Sequence, residues 1–253
     1  MGKNKKLKTT IYWAGIQLNN EAFDLNHLYV EPKSLYEECL EKKADLKDNP
    51  TAFFKCPAFV DFAKNLFVHR APVDTHATLD FKKKRANYIF QTLFDETKFR
   101  VKLEFMREPT LEDHGLIQYS WPILFFSEED SMPTTLTPPY FEQTTSSNYG
   151  VIVPGKFDIA KWFRPMNLEF QLWSGVNEIK ISANEALCYV HFDTDKEITL
   201  KKFITNKEID KIIVSLLKVS PFRRYSKLVD RYSVFQRSQS KERILNLIQK
   251  QLI

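Results

Sequence analysis

The residues able to do chemistry in this chain are few and scattered. His191 and Asp193, in HFD, lie two positions apart, and residues two apart in a strand share a face. Together they offer an imidazole and a carboxylate to one metal ion, the donor types of a two-histidine, one-carboxylate iron site. The remaining imidazole would have to come from His69, His76 or His114, because no histidine follows His191. The other reading of the pair is a surface histidine beside the turn DTDK. Cys56, in KCPAF, stands at a predicted helix start, a place that favours thiolates and also suits a cysteine acting as a small apolar side chain. Neighbouring carboxylates such as Glu128 and Glu129 fall in a polar stretch and read as solvated. The chain has no GxSxG, P-loop, dinucleotide-binding glycine pattern or HExxH. No catalytic residue and no cofactor is assigned.

Two further groups suit binding better than catalysis. In GKFDIAKWFRPMNLEF, Trp162 and Phe163 form an apolar plug. Arg164, extended because Pro165 follows it, can reach Asp158, Glu169 or Glu185. That arrangement reads as a corner locking two strands, or as a cleft for an anion or a sugar. The second group is basic. From Lys218 onward nine Lys or Arg face only Asp230 and Glu242, a net +7, whereas the whole chain carries +5. Arg223, Arg224, Tyr225, Lys227 and Arg231 set bases beside an aromatic, and KKKR at 82–85 is a second, shorter basic run. Such a segment can grip a phosphate backbone. The helical spacing of Tyr225, Tyr232 and Phe235 instead favours docking on a protein surface.

These residues need elements to hold them. Hydrophobic residues make up 43% of the 253 positions, enough for a core, and 21 phenylalanines suit sheets and interfaces. Three widely spaced cysteines indicate neither a disulfide framework nor a thiolate metal site, which points to a reducing compartment. The N-terminal apolar run is too short for a signal peptide or a membrane span, so an unsecreted protein is expected. SLYEECLEKKADLK and the stretch after Pro57 carry helical spacing, the first with a Ser34–Glu37 capping box and the second with Phe59, Phe62, Ala63 and Leu66 on one face. From about residue 73 to 205 the period falls to two: FRVKLEFM, GLIQYSW, LEFQLW, NEIKIS and ALCYVHF each place apolar residues on one face. EEDSMPTTLTPPYFEQTTSSN, residues 128–148, reads as a long surface loop. Helical spacing returns after Thr205, whose capping-box partner is Glu208.

The expected fold is therefore α+β and β-rich, an antiparallel sandwich. Residues 1–72 supply an arm, a strand and two helices packed on the core, 73–205 the sandwich, and 206–253 a basic amphipathic helical segment.

The stretches KCPAFVDFAKNLFVHRAPVD, FFSEED, TPPYFE, GKFDIAKWFRP and NEALCYVHFDTD, in that order, resemble an uncharacterised family of proteins encoded by tailed bacteriophages, particularly large marine myoviruses. The resemblance spans residues 53–205. It implies a viral origin, a location in the virion or the host cytoplasm, and a cupin-like or jelly-roll sandwich, with no assigned activity and no functional residue. The expected function is that of a non-enzymatic structural or accessory protein with protein partners, able to oligomerise. The alternatives are a cupin-like metal-dependent oxygenase or isomerase using His191 and Asp193, and a nucleic-acid-binding factor using the basic C-terminal segment.

Overall fold

A computed structural model describes residues 7–16, 28–42, 55–82, 85–91, 102–106, 115–217, 233, 235–236 and 240–253. In chain order the strands are β1 (Lys8–Gly15), β2 (Lys33–Ser34), β3 (Leu66–Arg70), β4 (Thr75–Asp80), β5 (Arg85–Gln91), β6 (Lys102–Met106), β7 (Leu116–Ser127), β8 (Pro133–Thr137), β9 (Gly150–Ile152), β10 (Gly155–Asp158), β11 (Met166–Leu172), β12 (Glu178–Ile181), β13 (Ala186–Phe192) and β14 (Glu197–Lys202). The described helices are α1 (Leu35–Lys42), α2 (Pro57–Lys64), α3 (Lys207–Leu217) and α4 (Ser240–Gln249). None of them is long and apolar enough to cross a membrane.

The strands form three open sheets, with orders β14-β1-β7-β11-β9, β10-β8-β13-β3-β2 and β12-β4-β5, and with β6 also paired to β7. All described pairs are antiparallel except β1 with β14. The fold is thus α+β with strand-rich antiparallel sheets, as the period of two requires. The sheets stay open and do not close into a barrel.

The two larger sheets face each other across the main core. Ile11, Trp13 and Phe125 on one side meet Phe67, Val190 and Phe192 on the other, and the Phe125 and Phe192 rings touch edge to face at 5.4 Å. The third sheet is a bent continuation of the second. Strands β3 and β13, paired with each other, continue as β4 and β12, also paired. The bend is tied by Ala71 N–H to Glu185 O and Asn184 N–H to Ala71 O. Asn184 takes the left-handed conformation there, φ 64°, which asparagine tolerates better than most residues.

Helices cover both outer faces, making four layers. Tyr12, Ala14, Leu124 and Phe126, which point away from the main core on β1 and β7, are covered by Ile209 and Ile213 of α3 and by Ile244 and Ile248 of α4, with Phe163 and Phe235. The Phe126–Phe163 edge contact, at 4.9 Å, is worth about 1 kcal/mol beyond its buried area. On the opposite side α1 and α2 cover Leu66, Val68, Ala186 and Tyr189. Strands with apolar residues on both faces, such as β1, are needed where a sheet is buried on both sides.

Several expectations change here. Residues 128–148 do not run as one surface loop, because β8 lies within them and pairs with both β10 and β13. Thr134 and Leu136 point inward, and Pro133 takes the first strand position, where its missing N–H does no harm. Pro122 does not end its strand. Residues 121 and 122 fall between the β6 ladder, which stops at Ser120, and the β1 ladder, which starts at Ile123, so no ladder bond is lost. Segment 1–72 does more than pack on the core, since β1 and β3 are inner strands of the two large sheets. The Ser34–Glu37 capping box forms in both directions, at 3.0 and 3.2 Å. The next expected cap shifts by one residue: Asn206, not Thr205, caps α3, its Oδ1 accepting from the N–H groups of Glu208 and Ile209. The C-terminal helices fold back on their own chain, Phe235 included.

A close approach fixes one glycine. A Cβ at Gly15 would stand 2.3 Å from the ring of buried Tyr29. Gly15→Ala is expected to cost about 2 kcal/mol in chemical denaturation; an unchanged midpoint would show that the ring moves aside.

Candidate interaction surface

The outer face of the β8–β13–β3 sheet carries a cluster of aromatic and charged side chains. Tyr189 and His191 project from β13 on this side, α2 lies across it, and the turn after β8 folds over Tyr189. In that turn Tyr140 meets the Tyr189 ring edge-on at 5.1 Å and Phe141 at 4.8 Å. Phe141 in turn meets Phe59 of α2 edge-on at 5.3 Å, and its N–H donates to the Tyr189 hydroxyl at 3.3 Å. Next to them Phe62 stacks on His191 at 5.4 Å. Despite these contacts Tyr140 is 52% exposed, Phe141 46% and Phe62 42%. The sequence placed Phe62 on the buried side of its helix with Ala63; only Ala63 is fully buried.

Beneath this shelf lies an ion-pair frame. Arg70, at the end of β3, donates from Nε and Nη2 to the Glu38 carboxylate of α1 at 3.1 and 2.6 Å. It donates from Nη1 and Nη2 to Glu142 at 3.2 Å each, and from Nη1 to the Asn184 carbonyl at 2.8 Å. All five guanidinium hydrogens are engaged. Burial works against its charge, but the bonds from Glu38 and Glu142 outweigh that and raise its pKa. Buried Glu185 completes the frame, accepting from the N–H groups of Thr145 and Ser146 at 2.9 and 3.1 Å. One helix, one strand and the turn bearing Tyr140 and Phe141 are therefore held together by groups that satisfy one another.

The metal candidates are not brought together. His191 faces α2, and its burial there lowers its pKa against the pull of Asp193, with Lys156 adding to the lowering. Asp193 is exposed and lies 3.8 Å from Lys156. His69 shares with Phe67 the opposite, core side of β3, and His76 is bonded to Glu178 at 3.1 Å in the third sheet. His114 lies outside the described residues. No three His, Cys, Asp or Glu side chains among the described residues stand ready to hold a metal. Cys56 is exposed at the N-cap of α2, where its side chain makes no capping bond.

At the WFRP corner the acid acts as a turn lock. Asp158 accepts from the Ser131 hydroxyl at 2.6 Å and from the N–H groups of Met132 and Ala160 at 2.8 and 3.0 Å, and lies 3.1 Å from Lys161. Burial favours its neutral form, yet these bonds prevail and lower its pKa. Trp162 packs on Phe157 at 5.8 Å, and the Arg164 guanidinium stands 5.5 Å from the Trp162 ring centroid. Glu185, one expected partner of Arg164, serves the Thr145 turn. Glu129, expected to be merely solvated, accepts from Thr9 and Lys196 at 2.7 Å each, and the Lys196 bond leads in lowering its pKa.

Arg223, Arg224, Tyr225, Lys227 and Arg231 lie outside the described residues. Of the KKKR run, Lys82 is exposed. In α4, Lys241 donates to the Glu129 carbonyl and Arg243 to Glu208 at 2.5 Å. The sequence signal for the aromatic shelf is TPPYFE, adjacent aromatics after two prolines, within the stretch expected to be a loop and among those that carry the resemblance. Comparison of the chain with protein-family models, curated proteins and solved structures finds no match.

Proposed function

We propose that the protein is a non-enzymatic structural or accessory component of a tailed bacteriophage that works through protein contacts, with the shelf of Phe62, Tyr140 and Phe141 as a contact surface. The observation that carries this reading is the contrast between the two halves of that face. Its charged groups are consumed in holding the shelf, while three large aromatic side chains are held partly in water. Clustered exposed aromatics on a rigid base suit a protein partner, because rings add large contact area at low ordering cost. The phage setting rests on the resemblance of residues 53–205. The jelly-roll kinship rests on that resemblance as well, supported by two sheets facing each other across one core.

Quantitative mass spectrometry of purified particles of the parent phage tests this. The chain is expected in stoichiometric amounts, and Tyr140→Ser/Phe141→Ser, folded by circular dichroism, is expected to be lost from them. Absence of the parent chain from the particles ends the virion reading. Incorporation of the variant at the parent level removes the shelf from it.

A further inference from the structure

We propose that β14 is a pairing edge for a second copy of this chain, the two copies meeting antiparallel about a two-fold axis at Thr199. The pairing does not depend on the aromatic shelf or on the phage setting. Strand β14 is the edge of the largest sheet, with β1 along one side in parallel register. The N–H of Glu197 donates to Leu7 and that of Phe203 to Trp13, so residues 197, 199, 201 and 203 turn their backbone groups toward β1. Those of Ile198, Leu200 and Lys202 then point out of the sheet. On that outer side Leu252 bridges Phe203, and Ile253 N–H donates to Lys202 O. This short ladder stops at Lys202. Beyond it, the outward backbone groups of Ile198 and Leu200 meet no partner among the described residues.

The strand is accessible. Glu197, Thr199 and Lys201 are exposed, whereas Ile198 and Leu200 are half-buried against the rim of the main core. Of the other edge strands, β2, β9, β10 and β12 offer only two to four residues each, while β6 has five and β5 seven. What sets β14 apart is its charge order and its position on the largest sheet, not its length.

The sequence of β14 complements itself. With Thr199 opposite Thr199, Glu197 of each copy faces Lys201 of the other and Ile198 faces Leu200. Ile198 and Leu200 are the residues with outward backbone groups, so they fall at the hydrogen-bonded positions and exchange N–H···O bonds both ways. The Glu197–Lys201 pairs fall at the closer, non-bonded positions, where opposite charges help most. A slip of one residue would reverse the faces. A shift that sets Leu200 opposite itself would bring Ile198 of the second copy, inside the strand, against Lys202, where Ile253 already sits, whereas with Thr199 on the axis only Lys196, in the bend before β14, comes there. Edge strands are commonly blunted by charge; here the charges are ordered acid, neutral, base, which repels a strand of like order running parallel and welcomes one running antiparallel.

Sedimentation equilibrium of the full chain at low ionic strength tests the pairing. A dimer is expected, with Glu197→Lys and Lys201→Glu each raising its dissociation constant about tenfold, since each puts like charges opposite at two symmetric places. The double variant Glu197→Lys/Lys201→Glu is expected to restore association to within about threefold of the parent, because the pairs are only exchanged. Both side chains are exposed, and although Glu197 also lies 3.4 Å from Lys8 on the neighbouring strand, so exposed a pair contributes little; the variants are expected to keep their fold, as circular dichroism would verify. A parent chain that stays monomeric at every concentration overturns the proposal. So does a dimer indifferent to the single reversals, or one that the double variant fails to rescue.

Discussion

Arg70→Met is expected to lower the unfolding free energy by about 4 kcal/mol in urea denaturation at neutral pH. Arg70 joins α1 through Glu38, the turn after β8 through Glu142, and the bend between β12 and β13 through the Asn184 carbonyl. The Arg70 and Glu38 side chains are only 14% and 11% exposed. Methionine fills much of the same space but leaves two carboxylates close together, poorly hydrated and uncompensated. The penalty comes mainly from those stranded charges and less from the lost attraction. Arg70→Lys keeps the charge without the planar fork, so about half the loss is expected. Adding Glu38→Gln to Arg70→Met removes one stranded charge, and the double variant should be less destabilised than the two single losses combined. If Arg70→Met stayed within about 1 kcal/mol of the parent, the frame would be decorative and the shelf above it would need another support.

The same frame shows where sequence reading stops. The strands with a period of two were legible because half-buried sheets impose that alternation, and LEFQLW, NEIKIS and ALCYVHF all appear as β11, β12 and β13. Strand β8 was not, because PTTLT carries only one strongly apolar residue and is flanked by prolines, the ordinary marks of a loop. Its inward side chains are Thr134 and Leu136, and the Thr134 hydroxyl satisfies itself locally on the Met132 carbonyl at 3.1 Å. The amphipathic faces of α3 and α4 were legible as faces, but periodicity states that a face must be covered and not by what. The cover proved to be Tyr12, Ala14, Leu124 and Phe126 of the chain's own sheet. The pairing of Arg70 with Glu38 and Glu142 left no local signal, since the three residues belong to separate elements and meet only once the turn after β8 has folded over Tyr189.

His69 should make the protein's stability fall steeply in mild acid. Its ring is buried in the core, Nε2 has no hydrogen-bond partner among the described residues, and burial lowers its pKa to about 4. In the unfolded chain the imidazole titrates near its ordinary value of about 6.5. Above that value both states hold a neutral ring and the residue contributes nothing to the pH dependence. Between about 6.5 and about 4 the unfolded chain binds a proton that the folded chain refuses, so stability falls as pH falls. The expected loss is roughly 2–3 kcal/mol between about pH 7 and about pH 4.5, read from urea midpoints across that range. His191, whose pKa is also lowered, acts in the same direction. The carboxylates of Glu129 and Asp158, held below their ordinary range, add further loss at the acid end. His69→Leu separates these contributions, because it places an apolar side chain of similar volume in the same buried position and removes the proton site. Its stability should change by roughly 2–3 kcal/mol less than the parent's over the same interval. Equal slopes for parent and variant would mean that the ring reaches solvent or a partner when protonated. In that case the inner face of β3 at His69 would not be sealed from water in the folded protein.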